Sequence, residues 1–246
     1  MLSSDFSLLS SALVDPGPWL EPYLSVARRV FSDAQTSSVV ESLNRRREKS
    51  LPDFQFVPHA LLPTDEAYES FIARTRCIPT RENLHDFFNG VVWLTFPQTK
   101  RRLNQMQAAE IARQGVSDRR GPIRDALTLF DENGAILCAP STLIEALRCR
   151  NWSSLFVTHR EAWHSAQLVI FGHALLEKLL QPRKAITAHV WPIDALTDGA
   201  IAASVTRERL ATKTFLPMPV LGVPQWWNEN SDPRFYNDAT VFRVAR

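Results

Sequence analysis

The chain has 246 residues, with 28 Lys plus Arg against 26 Asp plus Glu and a formal charge of +2. A hydrophobic fraction of 45% with 22% charged residues is ordinary for a globular protein and excludes extensive disorder; so small a net charge argues against nucleic acid or an acidic membrane as partner. Eight glycines stand singly, so GxGxxG and GxxxxGKS are both absent and no nucleotide cofactor is expected by motif.

Three cysteines, Cys77, Cys138 and Cys149, form no CxxC pair and no zinc-ligand spacing. Their odd number and the chain length point to a reducing, cytoplasmic compartment, with Cys138 and Cys149 read as buried thiols. The N-terminus lacks a basic n-region. The most apolar stretch, about 168–180, carries His173, Glu177 and Lys178 and is too short and charged to span a bilayer. A soluble protein is expected.

Along the chain, residues 1–18 read as a loosely ordered arm, and an apolar helical pattern runs from Trp19 to about Phe31. FQFVPHALLP suggests a short strand or extended arm, and Asp65–Arg74 a helix capped near Thr64. Thr80 is placed to cap a central helix through RENLHDFFNGVVWLT, which Pro97 ends; Gln98–Arg113 follows as a second helix. Two apolar runs, 126–130 and 135–138, flank Asp131-Glu132-Asn133-Gly134, so a hairpin with an Asn-Gly turn is expected there. A helix from Pro140 to Arg148, a long helix Glu161–Leu180, a strand Ala185–Val190 and a helix Ala195–Leu210 come next. The tail 215–246 is irregular and aromatic-rich, packed on the core. The expected fold class is α+β: one predominantly helical globular domain, 1–246, with a small sheet that includes the hairpin near 126–138. Basic runs at Arg45–Arg47, Lys100–Arg102 and Arg119–Arg120 read as solvated helix faces or loops.

The runs YESFI, PTRENLHDFFNGVVWLTFPQTKRRLN, RGPIRDALTLFDENGA, FGHALLEKL and PVLGVPQWWNENSDPRFYNDATVFR resemble the bacterial domain-of-unknown-function family numbered 3025, from about Trp19 onward. The resemblance implies a soluble bacterial protein and carries no activity or catalytic residue with it.

Site candidates therefore rest on residue chemistry. His85, Asn89 and Trp93 recur every four residues and share one helix face; His85 could serve as general base or metal ligand, with Asn89 and Trp93 meeting substrate. His173 and Glu177 have the spacing of an imidazole and an orienting or ligating carboxylate. Arg124 with Asp125 suggests an anion clamp or an ion pair at a strand entrance. His59 lies in a loop, and His189, within a strand, reads as a hydrogen-bonded core residue. Together they suggest acid–base or metal-assisted hydrolysis of a small polar or anionic substrate, in a cleft between the His85 and His173 helices, with a divalent metal compatible. The alternative is a non-catalytic binding or interaction module whose polar helix residues are structural. Gly90 and Gly172, which fall within expected helices beside Asn89 and His173, suggest a close helix approach there.

Overall fold

The computed structural model describes residues 6–47, 49–114, 121–212 and 215–244. In chain order its elements are α1 (Phe6–Val14), α2 (Leu24–Ala34), α3 (Val39–Arg47), β1 (Gln55–Pro58), α4 (Tyr68–Thr75), β2 (Cys77–Thr80), α5 (Leu84–Thr95), α6 (Pro97–Gln114) and α7 (Pro122–Asn133). Then follow β3 (Gly134–Cys138), α8 (Ser141–Arg148), β4 (Gln167–Ile170), α9 (His173–Lys178), β5 (Thr187–Pro192), α10 (Asp198–Ser204), α11 (Arg207–Ala211) and β6 (Leu216–Pro219), with 3-10 turns between elements and through the tail. The fold is α+β and predominantly helical. β1 and β2 form a parallel pair, and β4-β3-β5-β6 form a four-stranded sheet in which only β3 and β5 run parallel. No helix among the described residues is long and apolar enough to cross a membrane.

The helices start where side chains can satisfy their free N–H groups. Asn83 caps α5 by accepting from the Asp86 N–H at 2.8 Å, and Asp86 reaches back to the Arg81 N–H at 2.6 Å. Thr80 therefore does not cap; it closes strand β2 three residues earlier. Pro97 opens α6, and Asp198 at the start of α10 accepts from the Gln98 and Thr99 N–H groups at 2.8 and 2.9 Å. A carboxylate at this positive helix end fixes where α6 begins and hence where Lys100 points.

Several expectations are corrected. No hairpin forms near 126–138, because residues 122–133 are helix α7 and Gly134 begins β3 directly. Ile123, Ala126, Leu127 and Phe130 are buried at i, i+3, i+4 and i+7 spacing, and this helical stripe overrides the Asn-Gly turn signal. The long helix expected over Glu161–Leu180 is interrupted: β4 pairs antiparallel with β3, and only His173–Lys178 is α-helical. Ala67 rather than Thr64 precedes α4, and Ala195–Leu210 divides into α10 and α11, capped by Thr197 and Thr206. Pro18–Tyr23 is a 3-10 turn ahead of α2. Residues 6–14 are no loose arm: Phe6, Leu9 and Leu13 of α1 are buried, and Phe6 meets Phe87 edge-on at 5.8 Å. Neither thiol read as buried is so: Cys149 is exposed and Cys138 only partly buried. The Arg119–Arg120 run lies outside the described residues.

One continuous core runs from Phe6 to Phe242. Phe130 of α7 stacks on Phe171 at 4.8 Å and meets Trp191 of β5 at 5.5 Å, joining helix layer to sheet. The tail is held by rings: Trp226 meets Trp19 at 6.1 Å, and Tyr236 stacks on Phe156 at 5.2 Å. Buried Asn230 donates to the Leu221 and Val223 carbonyls, so these two carbonyls of the irregular backbone are satisfied by a side chain.

Gly172 precedes α9 and crosses the end of α7 at close range. Its N–H donates to the Gly134 carbonyl at 2.8 Å, and a Cβ there would strike the Glu132 carbonyl and lie 2.5 Å from the Asn133 nitrogen. Backbone cannot move aside as a side-chain tip can. We expect Gly172→Ala to cost about 1–3 kcal/mol, whereas Gly199→Ala, where the nearest atom is the Gln98 side chain at 3.5 Å, should stay within about 0.5 kcal/mol. Denaturant unfolding of both variants measures the difference; equal stabilities would contradict the close approach.

Candidate functional site

A cavity of about 500 Å³ opens between α4, α5, α6, α7 and the start of α9. Each helix contributes one face. His85, Asn89 and Trp93 come from α5; Lys100, Leu103, Asn104 and Gln107 from α6; Arg124, Thr128, Asp131 and Glu132 from α7; Tyr68 and Glu69 from α4; and His173 from α9. The volume suits a small molecule.

The two histidines meet in its wall. Their rings are 4.5 Å apart at 72°, with the Nε2 atoms 3.1 Å from each other. The Nδ1 atom of His85 lies 3.2 Å from Glu177 Oε2; a carboxylate only accepts, so Nδ1 carries the proton and Nε2 turns inward. The hydrogen bond to Glu177 raises the His85 pKa, against the effect of burial. Burial above all lowers that of His173 to about 3, so this ring is neutral near pH 7. Its Nδ1 faces Asp131, whose Oδ2 lies 3.7 Å away and whose backbone stands beside the ring. Glu132 Oε2 stands 3.5 Å from His173 Nε2 and 4.0 Å from His85 Nε2. Burial, then the Asp131 charge, raises the Glu132 pKa.

His85, Glu132 and His173 thus offer one ligand atom each, all within 4.8 Å of one another. A tetrahedral zinc site separates its nitrogen ligands by roughly 3.3 Å, given bonds of about 2.0–2.1 Å. The His–His spacing already fits, and a small Glu132 rotation would close the triangle. Glu177 behind His85 is the carboxylate backing that metal-bound imidazoles commonly have.

Beside this triangle, Lys100 is only 4% exposed. Its Nζ donates to Asp131 Oδ1 at 2.5 Å and Asn89 Oδ1 at 2.8 Å, and stands 5.4 Å over the Trp93 ring. Burial alone would raise the Asp131 pKa, but the charge and hydrogen bond of Lys100 outweigh it and leave the carboxyl below its usual value. Because Lys100 fixes Oδ1 of Asn89 as the acceptor, the amide nitrogen donates to the Tyr68 hydroxyl at 3.1 Å. Burial raises the Tyr68 pKa well above normal, so the phenol stays protonated. Half-buried Glu69 accepts from Asn104 at 2.5 Å, and loss of hydration raises its pKa as well.

Most sequence candidates converge. His85, Asn89, Trp93, His173 and Arg124 line the cavity, while Glu177 backs His85 rather than His173, its own helix neighbour. Asp125 does not join them: it is exposed in the first turn of α7, and with no strand present the strand-entrance ion pair does not exist. His59 also lines the cavity, and its Nδ1 is buried without a partner among the described residues. His189 is half-buried on β5 and makes no ring hydrogen bond among the described residues, so it is not the hydrogen-bonded core group expected.

Glu132, Asp131, Lys100, Tyr68 and Glu69 were not among the candidates. The first two were assigned to a turn and Lys100 to a solvated run; reading 122–133 as a helix would have set Arg124, Thr128, Asp131 and Glu132 on one face.

Residues 54–246 match the family described as Protein of unknown function (DUF3025). The chain belongs to that family; the match begins later than the resemblance from Trp19 suggested. Comparison with curated proteins and with solved structures finds no match.

Lys100 and Asp131 form a largely buried ion pair, and removing one partner strands the other charge. Lys100→Met is expected to cost about 3 kcal/mol or more, and Lys100→Met with Asp131→Asn clearly less than the sum of the single changes. A denaturant double-mutant cycle tests this; strict additivity would mean the pair is not coupled.

Proposed function

We propose that this protein is a divalent-metal-dependent hydrolase acting on a small anionic substrate. The observation that carries the reading is the convergence of His85 Nε2, His173 Nε2 and Glu132 Oε2 at the cavity wall. Two imidazoles and one carboxylate leave coordination positions open, as catalytic rather than structural sites do.

When bound, the ion would supply Lewis acidity and a water with a pKa lowered to about 7. The chain's own groups account for the rest. Glu177 holds His85 in the tautomer that presents Nε2. Burial keeps His173 unprotonated and therefore able to ligate. Asp131 holds the Lys100 ammonium in the cavity wall, where it favours negative charge on substrate oxygens. Asn89, satisfied by Lys100 and Tyr68, positions those two groups and is not itself reactive in this reading.

Metal-depleted protein titrated calorimetrically with Zn²⁺ and Mn²⁺ tests the assignment. Wild type should bind one ion, and His85→Ala and His173→Ala should abolish binding. Glu177→Gln should weaken it by about 10–100-fold. The metal-loaded protein should then hydrolyse p-nitrophenyl phosphate or p-nitrophenyl acetate faster than His85→Ala does. Absence of ion binding by wild type, or undiminished binding by both histidine variants, rejects the metal site. Tight binding without turnover of either ester rejects hydrolysis and favours a binding module.

A further inference from the structure

The cavity holds hydrogen-bond donors that no acceptor among the described residues takes up. Of the three Arg and Lys side chains lining it, Arg81 pairs with Asp86 and Lys100 with Asp131. Arg124 has no partner among the described residues: its Nε and Nη1 atoms are buried and make no hydrogen bond. A buried guanidinium donor without an acceptor is costly, because its hydration has been lost and nothing replaces it.

Tyr68 supplies the second unused donor, by an independent route. The Lys100 ammonium can only donate, so Asn89 Oδ1 must face it. Asn89 Nδ2 then donates to the Tyr68 oxygen, which leaves the phenolic hydrogen to find another acceptor. None is present among the described residues. The half-buried Tyr68 hydroxyl at the cavity wall therefore accepts from Asn89 and has its own hydrogen free.

We infer that Arg124 and Tyr68 form an oxyanion subsite, which takes a carboxylate or phosphate group of the ligand that enters the cavity. Both are donors, and an anionic oxygen accepts from guanidinium and phenol through charge-assisted hydrogen bonds. Arg124 stands eight residues before Glu132 on the same face of α7, about 12 Å along the helix axis. Tyr68 reaches the subsite from beside Asn89 and Lys100, and Arg124 from the first turn of α7, so the anion would lie along the wall that also carries the His85–Glu132–His173 triangle. This deepens the hydrolase reading by naming the substrate's second recognition element, but the subsite does not need a metal to bind its anion.

The test uses full-length, metal-depleted protein, so that metal coordination cannot account for anion binding. Inorganic phosphate and acetate are titrated in separate arms, followed by calorimetry and by ³¹P line width for phosphate. Wild type should bind at least one of them, and the tighter of the two identifies the anion class. Tyr68→Phe, which keeps the ring, and Arg124→Gln should each weaken that binding about tenfold or more, with Zn²⁺ affinity unchanged. Should Arg124→Gln fail to fold, Tyr68→Phe decides alone. Binding of neither anion by wild type, or wild-type affinity in Tyr68→Phe, overturns the subsite. Phosphate or acetate binding that persists in a protein unable to bind Zn²⁺ would reject the metal reading and leave the subsite standing.

Discussion

The buried ammonium of Lys100 is the constraint around which the cavity is arranged. An unpaired charge at 4% exposure would shed its proton or unfold its surroundings, so the neighbouring helices must supply acceptors. α7 gives Asp131 and α5 gives Asn89, both within 2.8 Å. Each acceptor then fixes something else. Asp131 stands beside His173 Nδ1, and Asn89 hands its amide hydrogen to Tyr68. One charge on α6 thereby sets the relative positions of α4, α5, α7 and α9. The capping of α6 by Asp198 belongs to the same chain of cause, because it sets the helix start three residues before Lys100.

Close backbone contact supplies the other half of the geometry. His173 is brought to His85 because Gly172 lets the chain leaving β4 press against the end of α7. The stacked Phe130 and Phe171 rings hold the same junction from the apolar side. Gly90 plays a different part: a Cβ there would meet the Leu43 side chain, so its close approach is to α3 and to the core, not to the polar groups beside Asn89.

How legible the site was depended on where its residues lie along the chain. His85, Asn89 and Trp93 could be grouped because four-residue spacing on a helix is a local fact. That His173 faces His85 was an expectation about tertiary structure, and the interruption of the supposed Glu161–Leu180 helix changed how it comes about. His173 reaches the cavity from the first turn of a short helix, not from the middle of a long one. The sharpest loss came at 122–133. An Asn-Gly pair between apolar runs is a strong turn signal, but here Asn133 ends a helix and Gly134 starts a buried strand. Reading those residues as a strand and turn scattered Arg124, Asp131 and Glu132, which the helix gathers. Lys100 was hidden for another reason: within Lys-Arg-Arg nothing in the sequence marks which cation is inward, and only the phase of α6 against α5 and α7 decides it.

The charge pairing within the cavity links its two ends. Arg81 is matched by Asp86, Lys100 by Asp131, and His85 by Glu177. Glu132 makes its closest charged-group contacts with two imidazole nitrogens, at 3.5 and 4.0 Å, while Arg124 Nε and Nη1 have no acceptor among the described residues. These opposite charges sit on one face of α7, and about 12 Å of helix keeps them from neutralising each other. The Glu132 carboxylate with two imidazoles beside it has no ion pair to a lysine or arginine among the described residues, and two buried guanidinium nitrogens of Arg124 lack an acceptor there. A divalent ion at one end and an anionic ligand at the other would complete both with no rearrangement of the fold. Each would also favour the other's binding, because the charge that one brings is the charge that the other needs.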